Sequence, residues 1–147
     1  MSDIRELYQE IIIDHSRKPR NTARLETVTH KAEGKNPLCG DCVRVALKVE
    51  NDKIDAIQVL NTGCAISTAT ASLLSDEILG RSTKEARAII ERFRDALTKE
   101  EIDPEILGRL EPLYGVREYP SRIKCVTLAL HATLAALNQE STVISTE

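Results

Sequence analysis

An α+β domain, built as a small antiparallel sheet of three strands with helices packed on one face, is the fold class this sequence predicts. Three observations carry that expectation. Apolar and polar residues alternate from Val43 to Glu50, and after Gly63 the apolar period lengthens to that of a helix. The strand-like segments come first and the helical ones follow, an order that suits helices laid on an antiparallel sheet rather than alternating β–α units.

At the N-terminal end, Ile4, Leu7, Tyr8, Ile11 and Ile12 recur at helical spacing, so residues 3 to 18 read as an amphipathic helix that Pro19 and Asn21 stop. Residues 27 to 34 alternate weakly, up to the breaks at Gly34, Asn36 and Pro37. Val43, Val45, Leu47 and Val49 alternate with Arg44, Lys48 and Glu50, the signature of a half-buried strand. Asn51-Asp52 makes a tight turn. Ile54, Ala56 and Leu60 form one face of the next strand, with Ile57 and Val59 on its other face. The hairpin is widened to three strands by the 27 to 34 segment.

Beyond Gly63, Ile66, Ala69, Leu73, Leu74 and Ile78 line one face of a helix that runs up to Gly80. Ser82 and Glu85 have the spacing of a capping box, which opens a helix with Ala86, Ile89, Ile90, Phe93 and Leu97 inward. Asp103-Pro104 starts a short helix, with Asp as cap and Pro in the first turn. Pro112, Gly115 and Pro120 make 111 to 122 a structured loop. The last helix spans about 122 to 138, with Ile123, Val126, Leu130, Leu134 and Leu137 inward. Residues 139 to 147 are polar and expected to be a flexible tail. A chain of 147 residues suits a single domain, 1 to 147.

Bulk properties exclude several function classes. Hydrophobic residues at 41% and charged residues at 29% argue against general disorder. Aromatics at 3%, no Trp and a net charge of -3 leave neither stacking platforms nor a basic face for nucleic acid. No apolar run reaches spanning length, and Met1 to Arg5 lacks the start of a secretory signal, so no membrane partner is expected and the compartment is taken as the cytoplasm. There Cys39, Cys42, Cys64 and Cys125 stay reduced, and metal binding or thiol chemistry is favoured over disulfides.

Three of these cysteines occupy the ends of elements. Cys39 lies in the turn Asn36 to Asp41. Cys64 sits between Gly63 and a helix start, where backbone N–H groups and the helix dipole favour a negative sulfur. Cys125 lies in the first turns of the last helix, near Arg122 and Lys124, whose charge favours a thiolate. Two choices of fourth ligand stand open. Cys39 and Cys42 form a CxxC knuckle, which gives a closed site of four thiolates. If the strand begins near Asp41, Cys39 and Asp41 face the site together and Cys42 faces away. His15, His30 and His131 flank none of these motifs. Ser67, Thr68, Thr70 and Ser72 read as a polar or packing feature of their helix, and no serine-nucleophile or phosphate-loop pattern is present.

Three motifs, Asn36-Pro37-Leu38-Cys39-Gly40-Asp41, Gly63-Cys64-Ala65-Ile66-Ser67 and Pro120-Ser121-Arg122-Ile123-Lys124-Cys125, resemble in order and content the U-type (IscU, SufU and NifU N-terminal) iron–sulfur cluster assembly family. The similarity leans to the SufU branch, because Lys124 stands where IscU-type scaffolds carry a histidine, residues 98 to 119 look like the SufU insertion, and the Leu-Pro-Pro-Val-Lys run is missing. The resemblance implies a zinc-dependent sulfurtransferase. Cys39, Asp41, Cys64 and Cys125 would be metal ligands, Cys39 the thiol that accepts persulfide sulfur, and Arg122 and Lys124 neighbours that influence the site. It implies a PLP-dependent, SufS-type cysteine desulfurase as donor and a downstream scaffold or apo-protein as acceptor. The alternative is a scaffold on which a [2Fe–2S] cluster is built, with iron in place of zinc.

Overall fold

The computed structural model describes residues 10–36, 40–98, 103–138 and 143–145. The expected first-helix residues Ile4, Leu7 and Tyr8 fall outside these, as does Cys39. The described elements are α1 (Glu10–Arg17), β1 (His30–Asn36), β2 (Asp41–Glu50), β3 (Lys53–Thr62), α2 (Ala65–Ile78), α3 (Thr83–Thr98), a 3-10 segment (Pro104–Glu118), α4 (Pro120–Leu137) and β4 (Val143–Ser145).

The sheet has the order β3-β2-β1-β4. β1, β2 and β3 are antiparallel neighbours, as the sequence predicts. β4 adds a short parallel edge on β1, from Glu33 opposite Val143 to Lys35 opposite Ser145, so that part of the expected tail is a strand. β1 also runs later than expected, through Gly34 to Asn36. Gly34 is no break. A Cβ there would meet Leu128 Cδ1 at 3.0 Å and Ala132 Cβ at 3.2 Å, so its bare backbone lets α4 lie close on the sheet.

Between β2 and β3, Asn51 (φ 51°) and Asp52 (φ 61°) both adopt left-handed backbone, the two-residue turn whose twist matches a hairpin. A bulge follows. Lys48 pairs with Ala56 and Val49 with Ile54, which leaves Asp55 as the extra residue. This corrects the expected face assignment: Ile54, Ile57 and Val59 are all buried, Ala56 is half-buried and Leu60 is exposed.

α2 packs on β3, and α4 on β1 and β2; α1 lies against α2, and α3 covers α4. The core between them is apolar and close-packed, with Leu47, Ile66, Leu73, Ile90, Phe93 and Val126 among its buried side chains. The capping box closes as expected: Glu85 N–H donates to Ser82 Oγ at 3.0 Å, and Ser82 N–H to Glu85 Oε1 at 3.3 Å. Ile89 is half-buried and packs against the core.

The segment read as a loop over 111 to 122 is instead 3-10 helix to Glu118. Its buried residues Leu107, Leu110, Leu113 and Val116 recur every third position, the period of three residues per turn. Asp103 caps its start through Glu105 N–H at 3.0 Å. α4 begins at Pro120, where a proline is tolerated in the first turn. Among the described residues no helix is long and apolar enough to cross a membrane.

Candidate metal centre

Three side chains from separate elements converge. Asp41 opens β2 and shares its buried face with Val43 and Val45; its own exposure is 2%. Alternation along the strand therefore turns Cys42 to the opposite face. Cys64 is the N-cap of α2, and its sulfur accepts from Ser67 N–H at 3.4 Å. Cys125 lies in the second turn of α4 and is 3% exposed. One carboxylate oxygen of Asp41 and the sulfurs of Cys64 and Cys125 all lie within 4.8 Å of one another. In a tetrahedral zinc site, ligand atoms at roughly 2.0–2.3 Å from the ion stand roughly 3.5–4 Å apart, so this spacing suits a shared cation. No other group of three His, Cys, Asp or Glu side chains among the described residues converges in this way.

The cluster is held from within. Cys64 N–H donates to Asp41 Oδ1 at 3.0 Å, which orients the carboxylate beside the two sulfurs. Gly63 makes that approach possible: a Cβ there would sit 2.0 Å from Asp41 Oδ1. Ser67 Oγ donates to the Cys64 carbonyl at 2.9 Å and fixes the first turn of α2.

The two thiols polarise each other. The Cys125 thiol faces the Cys64 sulfur and, with Ser67 N–H, holds Cys64 well below the ordinary thiol range against the effect of burial. The same contact with Cys64, followed by burial and the Asp41 charge, pushes Cys125 up. The Cys125 thiol thus lies between two acceptors, the Cys64 sulfur and the Asp41 carboxylate. A cation is the natural substitute for a proton at such a point.

The other expected residues fall as follows. Cys42 is half-buried on the outer face and donates to Glu33 Oε1 at 3.5 Å; burial, then Glu33, pushes its thiol up. Arg122 is half-buried in the first turn of α4, with its backbone N–H on the Tyr119 carbonyl at 2.8 Å. Lys124 is exposed although its neighbour Cys125 is buried. His15 and His30 are engaged elsewhere, with Ser72 and Thr29. Sequence reasoning passed over Asn61, and it left Ser67 as packing. Position alone offered a clue, since both flank Gly63-Cys64.

A family model described as "NifU-like N terminal domain" matches residues 7–126. The "Iron-sulfur cluster assembly scaffold protein IscU" of Streptococcus pyogenes is 35% identical over 142 residues, which cover 96% of this chain and 89% of that protein. The "Zinc-dependent sulfurtransferase SufU" of Bacillus subtilis is 36% identical over 127 residues, 86% of each chain. Among solved structures, the putative iron–sulfur cluster assembly scaffold protein for the SUF system of Fervidobacterium islandicum superposes with a TM-score of 0.83 at 31% identity, covering 89% of this chain and 96% of that one.

Proposed function

Because this chain belongs to the U-type iron–sulfur cluster assembly family through its NifU-like N-terminal domain, we propose that it is a zinc-dependent sulfurtransferase that accepts persulfide sulfur from a cysteine desulfurase. The convergence of Asp41, Cys64 and Cys125 within 4.8 Å carries the reading. The residue before Cys125 is an exposed lysine, so this position offers no neutral nitrogen donor, which weighs toward the sulfurtransferase and away from a cluster scaffold.

Zinc would be held by Cys39, Asp41, Cys64 and Cys125. It would supply a charge that keeps thiols deprotonated at neutral pH without electron transfer. The protein's own groups do the rest. Ser67 N–H and the start of α2 favour negative charge on Cys64. Cys64 N–H orients the Asp41 carboxylate. Burial of Asp41 and Cys125 shields those two side chains from water, while Cys64 stays half-buried.

Cys39 is the proposed acceptor. Its thiolate attacks the terminal sulfur of the desulfurase persulfide. The donor's S–S bond breaks, a new S–S bond forms on Cys39, and the donor cysteine leaves as thiolate, with no net oxidation. The proposed donor is a PLP-dependent, SufS-type enzyme, and the sulfur passes on to a scaffold or apo-protein.

The test combines metal analysis of freshly purified protein with desulfurase turnover in its presence. Zinc near one equivalent and stimulation that Cys39→Ala abolishes are expected; full stimulation by that variant refutes the acceptor role. The scaffold reading, favoured by the name of the S. pyogenes relative, predicts instead a visible [2Fe–2S] spectrum after anaerobic reconstitution and activation of an apo-acceptor.

A further inference from the structure

We infer that Asn61 is a positioning residue for this metal centre, tying the strand end that carries Asp41 to the helix start that carries Cys64; this rests on the metal-binding reading above. Asn61 stands near the end of β3, half-buried, opposite Val43. With its amide oriented to satisfy both ends, Nδ2 donates to the Cys42 carbonyl at 3.3 Å, while Oδ1 accepts from Thr68 N–H at 3.2 Å and Thr68 Oγ1 at 2.9 Å and lies 3.0 Å from Ser67 Oγ. Cys42 follows Asp41 directly. Thr68 sits one turn into α2, and its N–H is also 3.1 Å from the carbonyl of Cys64. One side chain therefore joins the backbone beside one metal donor to the backbone one turn beyond another.

The chemistry suits the position. Ladder hydrogen bonds fix β2 against β3, the Cys64 N–H bond to Asp41 ties the start of α2 to β2 at one point, and the Asn61 amide adds a second tie one turn further along α2. An amide offers donor and acceptor at once and so spans strand and helix. It also adds no charge beside a site that already gathers thiolates and a carboxylate. Groups of this kind, which orient ligands without touching the metal, typically account for about 10–100-fold in metal affinity.

The experiment uses the full chain and two variants. Asn61→Leu keeps the bulk and removes both halves of the link. Asn61→Asp keeps the acceptor and loses the donor to Cys42. Zinc affinity is measured by competition with a chelating dye, geometry by the visible bands of the cobalt-loaded protein, and fold by the melting temperature of the metal-free form. Asn61→Leu should weaken zinc by about 10–100-fold and alter the cobalt bands, with Asn61→Asp between it and the parent. A merely structural role would lower the metal-free melting temperature and leave the cobalt bands of folded protein in place, which overturns the inference. So does zinc affinity within twofold of the parent in both variants. If Asn61→Leu does not fold, Asn61→Asp decides by the same readings. A parent chain that takes up neither zinc nor cobalt overturns the metal-binding reading itself, a result separable from failure of the Asn61 link alone.

Discussion

The backbone N–H of Cys64 donates to Oδ1 of Asp41 at 3.0 Å. The residue that supplies a thiol therefore also fixes the angle of the carboxylate, and the two donors move together. Where they meet, only the absence of a side chain at Gly63 keeps them in contact.

Gly63→Ala tests that contact. The new Cβ would fall 2.0 Å from Asp41 Oδ1, and the carboxylate must give way. Overpacking of this kind costs about 1–3 kcal/mol, and displacing the carboxylate should weaken zinc by tenfold or more. Chelator competition and thermal melts read both effects. An unchanged zinc affinity would show that Asp41 is not held by its neighbour.

The choice between Asp41 and Cys42 as fourth ligand is decided by a pair of variants. Cys42→Ser touches a thiol that faces Glu33 on the outer side of the sheet, so zinc affinity should stay within twofold. Asp41→Ala removes a buried donor and should weaken binding by about 10–100-fold. The reverse ranking in a zinc competition assay would point to a site of four thiolates.

Stability should fall on mild acidification through His15. This side chain is 6% exposed, and its Nδ1 lies 2.7 Å from Ser72 Oγ. That oxygen also accepts from Arg20 N–H at 2.9 Å, and its own hydrogen is available to a neutral imidazole that is unprotonated at Nδ1. Burial, then the Arg20 charge, holds the His15 pKa below its ordinary 6.5, against the opposite pull of Asp76 and Asp14. A lowered histidine pKa means that the folded state favours the neutral ring. The contribution is complete above pH 6.5 and is lost as pH falls below it. The melting temperature should drop between pH 7.5 and 5.5, and drop less in His15→Asn. His131, also lowered by burial, accounts for a remaining slope of the same sign. An equal drop in the variant would remove His15 from this role.

The 3-10 segment should be separable from the metal centre. Leu110 is fully buried there, and Leu110→Ala should cost about 2–5 kcal/mol. Denaturant titration reads that loss. Zinc affinity of the folded fraction should stay as in the parent, whereas a joint loss would mean that the segment also supports the donors.

Periodicity made most of the fold legible. The alternation from Val43 to Val49 and the Asn51-Asp52 turn marked the hairpin, and Ser82 with Glu85 marked a helix start that closes as expected. What escaped depends on neighbours remote in the chain. Gly34 reads as a break, yet it pairs within β1 because Leu128 and Ala132 come from far downstream to fill the space above it. The bulge at Lys48 and Val49 shifts which residues of β3 face inward, and nothing local announces it. The spacing Leu107, Leu110, Leu113, Val116 was visible, but Pro112 and Gly115 read as loop punctuation and hid a period of three. Strand alternation put Asp41 on the inner face only if β2 began near it, and the structure has β2 begin at Asp41, with Asp41 beside Cys64 and Cys125. Asn61 could not be found this way, since an asparagine near a strand end usually marks a turn.

β2, α2 and α4 each contribute one donor at or near their starts, and α4 is the last helix of the described residues. A chain still emerging from the ribosome has Asp41 and Cys64 in place long before Cys125 exists. On the proposed reading, metal loading would therefore be a late event in biosynthesis, closed to products that terminate before Cys125.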